Sequence, residues 1–522
     1  MASANKAANP LSERERHAWC FYDFANSAFH QAIGAVFVPL LLDTVARDYA
    51  WSEAGKTQLE RCDNSTQTQC LECVRGKGDM EVTIRGLSTG GDDVFVDAKT
   101  PKLPGGVSPG SFAFLITAIS VFIQALVFIS LGTFGNYSNW KERGMKCSSR
   151  VGCLFSALTA ITTASDRLYG WGGFTYIVAN VSLGTSVVFY NAYLPLMVDR
   201  EARVLGALQL VEGGADDGEN NLNKERETAT NDLSSSGQGW GYVGGTSALI
   251  LGAIVNAICY SAGLGTKMGF AMGILINALW WFVFAETMAF PNMPDGHGKK
   301  IPEKGLSIFD GWRSTASVLR DIWHNDRPAA YFLIMFFFFS DGYSTMATVS
   351  LMFAVREMCM GSIKILGLAV IVPLFAGIGN FVWLKIQGIL GWSTKKTLVI
   401  NLLLLGCLPL WGCIGFFTDK IGLQTEIELF LLAMCFGLTL GSSQAYARAQ
   451  FTEIIPEGRE SDLFAIYEIT DKGSSWLGPL VATLIVQSTD KIRPILIYLA
   501  CELLLPALVV HGLNIKQAAR GT

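Results

Sequence analysis

Charge is what this sequence has least of. Only 16% of its 522 residues are Asp, Glu, Lys or Arg, where soluble domains run nearer 25%. A soluble chain of this length would divide into several cores under a polar surface, and this composition cannot supply that surface. The net charge of −4 says little by itself, and no nucleic-acid partner is expected. There is no G-x-x-x-x-G-K-[ST] string, which argues against primary pumping by ATP. Histidine is scarce, with five in the chain. Only His30 falls well inside an apolar run, where a hydrogen-bonded structural His is the plainer reading and a pH sensor the sharper one. "CLEC" at Cys70 to Cys73 is a C-x-x-C string, but a zinc site needs four ligands and no second pair is visible. No metal, no cofactor and no enzymatic activity are expected. The first eighteen residues are polar, and the apolar run that follows is too long for the core of a cleavable signal.

What the chain has in abundance is apolar sequence. Half of its residues are hydrophobic and its mean hydropathy is +0.35. These residues come in blocks of roughly 20, the length that crosses a bilayer as a helix. The expected fold class is an all-α polytopic membrane protein with twelve transmembrane helices. The spans fall at roughly 19–42, 110–133, 148–165, 171–197, 240–262, 267–290, 328–354, 362–386, 396–417, 427–449, 462–487 and 493–513. Three connections are long: 43–109, 198–239 and 291–327. The second contains "EGGADDGENNLNKERETATNDLSSSGQG", a composition that cannot build a core and predicts disorder.

Lys and Arg in short loops set the orientation. Lys141, Arg143, Lys146 and Arg150 follow span 2, and Lys299, Lys300, Lys304, Arg313, Arg320 and Arg327 lie in 291–327. The loops after spans 3 and 9 hold only Arg167 and Lys420. Both termini are therefore expected in the cytosol, with 43–109 on the luminal side. A disulfide among Cys62, Cys70 and Cys73 is permitted there, and Asn64-Ser65-Thr66 is a usable glycosylation sequon. The domain expectation is a six-helix bundle over 1–290, a cytosolic linker over 291–327, and a second six-helix bundle over 328–522. "GTFGNYSNWKERGMK" after span 2 and "GILGWSTKKTL" after span 8 echo one another, as two related halves would. Twelve helices in two halves with a site near the midplane between them is a secondary-transporter plan.

The pattern resembles the major facilitator superfamily. In the loop after span 2, Gly132 and Lys141 fit that superfamily's motif, while Asn136 and Tyr137 stand where it carries Asp and Arg. More specific are "YDFANSAF" (Tyr22 to Phe29), "VFYNAYLP" (Val188 to Pro195), "GQGWGYVGG" at span 5, and "GSSQAYARAQFTEIIPEGRESDLFAIYEITDKGSSWLGP" leading into span 11. Together these resemble the fungal autophagy-related vacuolar effluxer family, which has bacterial and protist relatives. The resemblance implies export of amino acids from a vacuole or lysosome-like organelle to the cytosol, linked to recycling after autophagy. It also implies a multi-pass protein in the vacuolar membrane.

Ionisable residues deep in a membrane helix cost about 2.5–3.5 kcal/mol on insertion scales, so they face partners or wet cavities. Asp341 sits thirteen residues into span 7. Ser344, Thr345 and Thr348 follow it at i+3, i+4 and i+7, on one helix face. This stripe is the candidate site for a substrate amine or the coupling proton; the plainer reading is a hydrogen bond between helices. Glu468, Asp471 and Lys472 lie in the first third of span 11, with Glu468 and Lys472 at i, i+4. Arg448 leaves span 10 at the same depth, Asp23 and Asn26 enter with span 1, and Asn191 leaves with span 4. The sharp reading of this cluster is a cytosolic gate. The plain one is snorkelling to headgroup water. Glu286 and Glu502 lie in or near spans 6 and 12, where a structural role is the expectation.

The sequence is therefore read as a proton-coupled secondary transporter working by alternating access. Its partners are a small-molecule substrate, an amino acid by the resemblance, and the lipid bilayer, and it acts as a monomer. The competing readings are a carrier of another small metabolite, such as a sugar or organic anion, and a non-transporting membrane receptor or scaffold. A scaffold has no need of an intramembrane acid.

Overall fold

In a bilayer core no water is present to satisfy backbone N–H and C=O groups, so each apolar block closes its hydrogen bonds internally as a helix. The structure is a computed structural model. It describes residues 10–53, 72–73, 82–83, 103–107, 109–213, 217–294, 296, 298–302, 305–325, 327–358, 360, 362–418, 420–455, 460–475, 477–489 and 492–513. Asn64, Cys62 and Cys70 lie outside the described residues.

In the first half, α1 (Glu13–Ala28), a π-helical segment (Phe29–Phe37) and α2 (Val38–Glu53) follow without a break. A short antiparallel pair, β1 (Glu72–Cys73) and β2 (Val82–Thr83), lies in the first long connection. Then come α3 (Pro109–Gly132), α4 (Trp140–Leu158), α5 (Tyr169–Asn191), α6 (Leu194–Val198), α7 (Ala202–Glu212), α8 (Gly218–Ser261) and α9 (Thr266–Phe284). After a connecting helix, α10 (Ile308–Asn325), the second half holds α11 (Arg327–Arg356), α12 (Ser362–Leu390), α13 (Thr394–Ile414), α14 (Glu426–Ile454), α15 (Glu460–Ser474), α16 (Leu477–Thr489) and α17 (Ile495–Gly512).

Ten of the described helical stretches are long and apolar enough to cross a membrane. The other two expected spans are helical at their places. They fall short of that measure because α4 opens with Lys141, Glu142, Arg143, Lys146 and Arg150, and because the other lies in two shorter helices, α15 of 15 residues and α16 of 13. Large apolar side chains such as Phe122, Ile258, Leu279, Phe417 and Leu508 are exposed, as lipid-facing positions would be.

One expectation fails. Residues 198–239 are largely helical, with α7 and about the first six turns of a 44-residue α8 running through them. Elongating a helix already nucleated by a membrane span costs little. Tertiary contacts hold the polar extension: Leu222, Ala229 and Leu233 are buried, Arg203 pairs with Asp232, and Arg226 lies 3.5 Å from Asp199. Composition alone could not reveal those partners.

The buried side chains form two large apolar cores. One runs from Trp19 to Phe290, and the other from Val318 to Val510 with Ala192 added. The halves meet where α8 packs on α12 and where α3 packs on α15. Small residues allow this closeness: a Cβ at Gly239 would press on the Phe381 ring at 2.7 Å. Gly244 likewise lets α8 lie on the Phe24 carbonyl of α1, where a Cβ would stand 2.2 Å from the oxygen.

Candidate functional site

The end of the bundle carrying residue 13, the turn after α3 and the start of α13 is here termed the N-terminal face. Between the halves, on the inner side of that face, lies a polar cavity of about 220 Å³. Asp23, Asn26, Asn191, Arg448, Glu468, Asp471 and Lys472 all line it. The seven residues singled out by depth in the sequence thus converge on one space, from α1, α5, α14 and α15.

Arg448 is its centre and is almost fully buried. Its guanidinium donates to the Ser234 Oγ (3.0 Å) and carbonyl (2.7 Å) on α8, and to Asn191 Oδ1 (3.2 Å) on α5. It lies 3.6 Å from Asp23 Oδ2. The Trp19 and Tyr190 rings, stacked on one another at 4.6 Å, sit 5.3 and 6.0 Å from the guanidinium carbon. A planar cation with five donors suits such a fork-and-stack setting better than an ammonium would. Asn191 is bifunctional. Its oxygen accepts from Arg448, and its Nδ2 donates to Glu468 Oε1 at 2.8 Å. An Arg448–Asn191–Glu468 chain therefore ties α14 to α15 through the other half of the molecule.

The i, i+4 couple on α15 is drawn to different neighbours. Glu468 turns to Asn191, while the Lys472 ammonium meets Asp471 Oδ2 at 2.9 Å and Ser340 Oγ donates to the other Asp471 oxygen. Asn26 is buried at the cavity wall, and its Nδ2 has no partner among the described residues. An unpaired buried donor costs about 1–3 kcal/mol, which a ligand acceptor or water in the cavity would recover. Gln444, on α14, accepts from Tyr242 (2.6 Å) and Gln238 (3.1 Å) on α8, adding a second polar tie between the halves.

Beyond His30, Gln31 and Tyr242, which line both spaces, lies an apolar cavity of about 510 Å³ among side chains such as Met346, Phe353, Leu368 and Phe436. His30 and Gln31 stand in the π-helical segment, where Val38 N–H reaches back to Ile33. The wider turn re-aims side chains there, as such insertions often do at functional sites. Nothing in the alternation of the sequence marks it.

The span 7 stripe is placed differently from the gate cluster. Asp341 is fully buried but lines neither cavity. Ser344 Oγ bonds back to the Asp341 carbonyl at 2.9 Å and Thr348 Oγ1 to the Ser344 carbonyl at 3.0 Å, so both hydroxyls spend their donors on their own helix. Thr348 lines the apolar cavity, and Thr345 packs against Gly478. Glu286 makes a two-pronged pair with Arg150 at 2.6 and 2.9 Å inside the first half. Among the described residues no group of His, Cys, Asp and Glu is arranged to hold a metal.

Two bundles enclose a buried polar space at their interface, and solved membrane transporters share the architecture. The human organic anion transporter MFSD10 aligns with a TM-score of 0.60 at 13% identity, over 96% of this chain and all of that one. The proton:xylose symporter XylE, of the major facilitator superfamily, aligns at 0.57 and 12% identity, over 97% and 98% of the two chains. The fold is that of the major facilitator superfamily, whose members are transporters rather than enzymes. Residues 11–522 match the family described as "Vacuole effluxer Atg22 like", and the chain belongs to that family. Autophagy-related protein 22-1 of Phaeosphaeria nodorum is 25% identical over 97% of this chain and 91% of its own length. Autophagy-related protein 22-2 of Aspergillus clavatus is 27% identical over 94% and 87%. The protein is therefore a multi-pass transporter of the autophagy-related vacuolar effluxers, with a small-molecule substrate and a bilayer as its surroundings.

Proposed function

We propose that this transporter exports amino acids from the vacuole or a lysosome-like organelle to the cytosol by alternating access, driven by protons, in recycling after autophagy. The observation that carries the reading is the mixed charge of the polar cavity: Arg448 and Lys472 share it with Asp23 and Glu468. A zwitterion with a carboxylate and an ammonium a few ångströms apart meets both signs there. A sugar needs neither, and an organic anion would face uncompensated carboxylates.

In this reading residues 1–290 form the N-terminal bundle, 291–327 the cytosolic linker and 328–522 the C-terminal bundle, in a monomer. The N-terminal face is the cytosolic face, and 43–109 lies in the lumen, with Asn64 its glycosylation site. Asp23, Asn26, Asn191, Arg448, Glu468, Asp471 and Lys472 then close the cytosolic mouth over the substrate. Further ties between the halves on that side support the closure: Ser234 Oγ donates to the Ala445 carbonyl at 2.8 Å, and Asn231 Nδ2 to Thr394 Oγ1 at 2.9 Å. Opening toward the cytosol must break these contacts together.

The test is uptake of labelled amino acids, sugars and organic anions into proteoliposomes with and without an imposed pH gradient. Each pH unit supplies about 1.4 kcal/mol per proton, a tenfold concentration ratio. Saturable amino-acid uptake that follows the gradient supports the reading. Uptake confined to sugars or anions, or none that the protein accelerates, overturns it.

A further inference from the structure

Behind the cavity wall, α11, α16 and α17 bring two carboxyl groups together. Asp341 on α11 and Glu502 on α17 face one another within hydrogen-bonding reach, both buried inside the second half. Glu502 comes from a span where only a structural role was expected. Gly342 allows the approach, since the space of its absent Cβ lies 3.5 Å from Glu502 Cγ. Gly478 closes the third side: a Cβ there would stand 1.7 Å from Thr345 Oγ1 and 2.8 Å from Asp341 Oδ2.

The hydrogen-bond inventory of this pocket is incomplete in one specific way. Tyr498 donates to Glu502 Oε1 at 2.8 Å. The Gly478 N–H faces Asp341, but by distance and angle neither Asp341 oxygen, nor Glu502 Oε2, accepts a hydrogen bond among the described residues, and no cation pairs with either acid there. An ionised carboxyl only accepts hydrogen bonds, whereas a protonated one also donates. Two carboxylates in contact inside a membrane protein repel and stay unsatisfied, as in the paired acids of aspartic proteases. One proton between them supplies the missing donor and removes one charge.

We infer that Asp341 and Glu502 form a single proton-binding site of the transporter, set apart from the substrate cavity and assembled from three helices of the second half. Release is a simple ionisation: the O–H bond of the shared proton breaks, the proton passes to a water molecule, and two facing carboxylates remain. That state pushes α11 from α17. The same α11 carries Ser340, one residue earlier, which holds Asp471 beside Lys472 at the cavity. A shift of α11 is thus felt at the gate without either acid touching substrate. The other groups facing the pair are Tyr498 on α17, Thr345 on α11 itself and the Gly478 backbone on α16. Asp471 and Lys472 on α15 lie on the cavity side. The inference rests on the transport reading only for what the proton drives; the site itself stands on the geometry.

The test has two arms on the full chain. In nanodiscs, infrared difference spectra between acid and alkaline buffer report protonated carboxyl groups by their C=O stretch, with no substrate present. The wild type should show such a band, and Asp341→Asn and Glu502→Gln should each remove or shift it, with Glu502→Asp retaining it. The same band unaltered in both neutral variants overturns the site. In proteoliposomes with a gradient of two pH units, one coupled proton supports about 100-fold accumulation. Asp341→Asn and Glu502→Gln should lower this to about unity while exchange of internal for external substrate persists at a reduced rate. Wild-type accumulation in either variant overturns the inference. So does parallel loss of accumulation and exchange in a folded Glu502→Asp variant, which would make the pair a structural tie. If the wild type moves no amino acid at all, the transport reading fails, and the infrared arm still decides whether the pair holds a proton.

Discussion

Replacing Arg448 by Met removes the cation that holds the two halves together at the N-terminal face while keeping its apolar stem. Its partners Asp23, Asn191 and Ser234 all belong to the first half, on α1, α5 and α8. The loss therefore falls on the closed arrangement rather than on the packing inside either bundle. Breaking a buried pair by deleting one partner costs about 3–5 kcal/mol, because the other charge stays buried alone. Water in the polar cavity moderates this, so the lower end, about 3 kcal/mol, is the appropriate figure. At about 1.4 kcal/mol per tenfold, the closed state loses roughly 100-fold in population relative to the open one. The reporter is Ser443→Cys, buried one turn and more from Arg448 on α14, with the exposed Cys147, Cys407, Cys435 and Cys501 replaced by Ser. A membrane-impermeant maleimide added to the N-terminal face should label it faster in Arg448→Met by about two orders of magnitude if opening limits the rate. Asp23→Asn added to Arg448→Met removes the stranded charge and should restore part of the closure. The coupling of neighbours is typically about 0.5–3 kcal/mol, far from additive. Equal labelling in wild type and Arg448→Met, or strict additivity of the two changes, would show that the ion pair does not hold the gate.

Glu468→Gln keeps an acceptor for Asn191 Nδ2 and should change transport by no more than about tenfold, whereas Glu468→Ala strands that buried amide at about 1–3 kcal/mol; a smaller defect in Ala than in Gln would count against the chain through Asn191. Gly478→Ala drives a Cβ into the place of Thr345 Oγ1, an overpacking worth about 1–3 kcal/mol. It should lower the apparent melting temperature in detergent, and adding Thr345→Ala, which removes the closest atom, should recover part of it; an unchanged melting temperature for Gly478→Ala alone would refute the close approach. On sealed vacuolar vesicles, protease added to the cytosolic side should spare 43–109, and cleavage there would reverse the proposed orientation.

The charged cluster around Arg448 was legible because charge is rare here. In a chain so apolar, each ionisable residue within a span is a signal, and counting residues from the span ends placed Asp23, Asn191, Arg448 and Glu468 at one depth. The helical stripe below Asp341 was legible in the same way and led less far. Period places Ser344 and Thr348 on one face but cannot say that their hydroxyls return to their own backbone. The partner of Asp341 was not legible. Glu502 lies 161 positions later in a span where only a structural role was expected, and only packing brings it opposite. The stretch 198–239 misled because composition reports what a segment can bury alone. Leu222, Ala229 and Leu233 are few in number, and it is the surrounding helices of the first half that bury them.

The sequence by itself determined the class of solvent, the order of the apolar helical stretches and the family. These follow from length, hydropathy and local motifs, which act within a span or a short loop. Tertiary structure decided which charges meet. Arg448 chose Asn191, Asp23 and Ser234, Lys472 chose Asp471 over Glu468 four residues before it, and Asp341 met Glu502. It also decided where the π-helical turn swings His30 and Gln31 between the two cavities. The reason is range. Membrane insertion and backbone hydrogen bonding of a helix are settled along the chain within about 20 residues. Pairing between buried charges depends on the rotation and approach of helices hundreds of residues apart, fixed by glycines such as Gly244, Gly342 and Gly478 whose meaning appears only once their neighbours are in place.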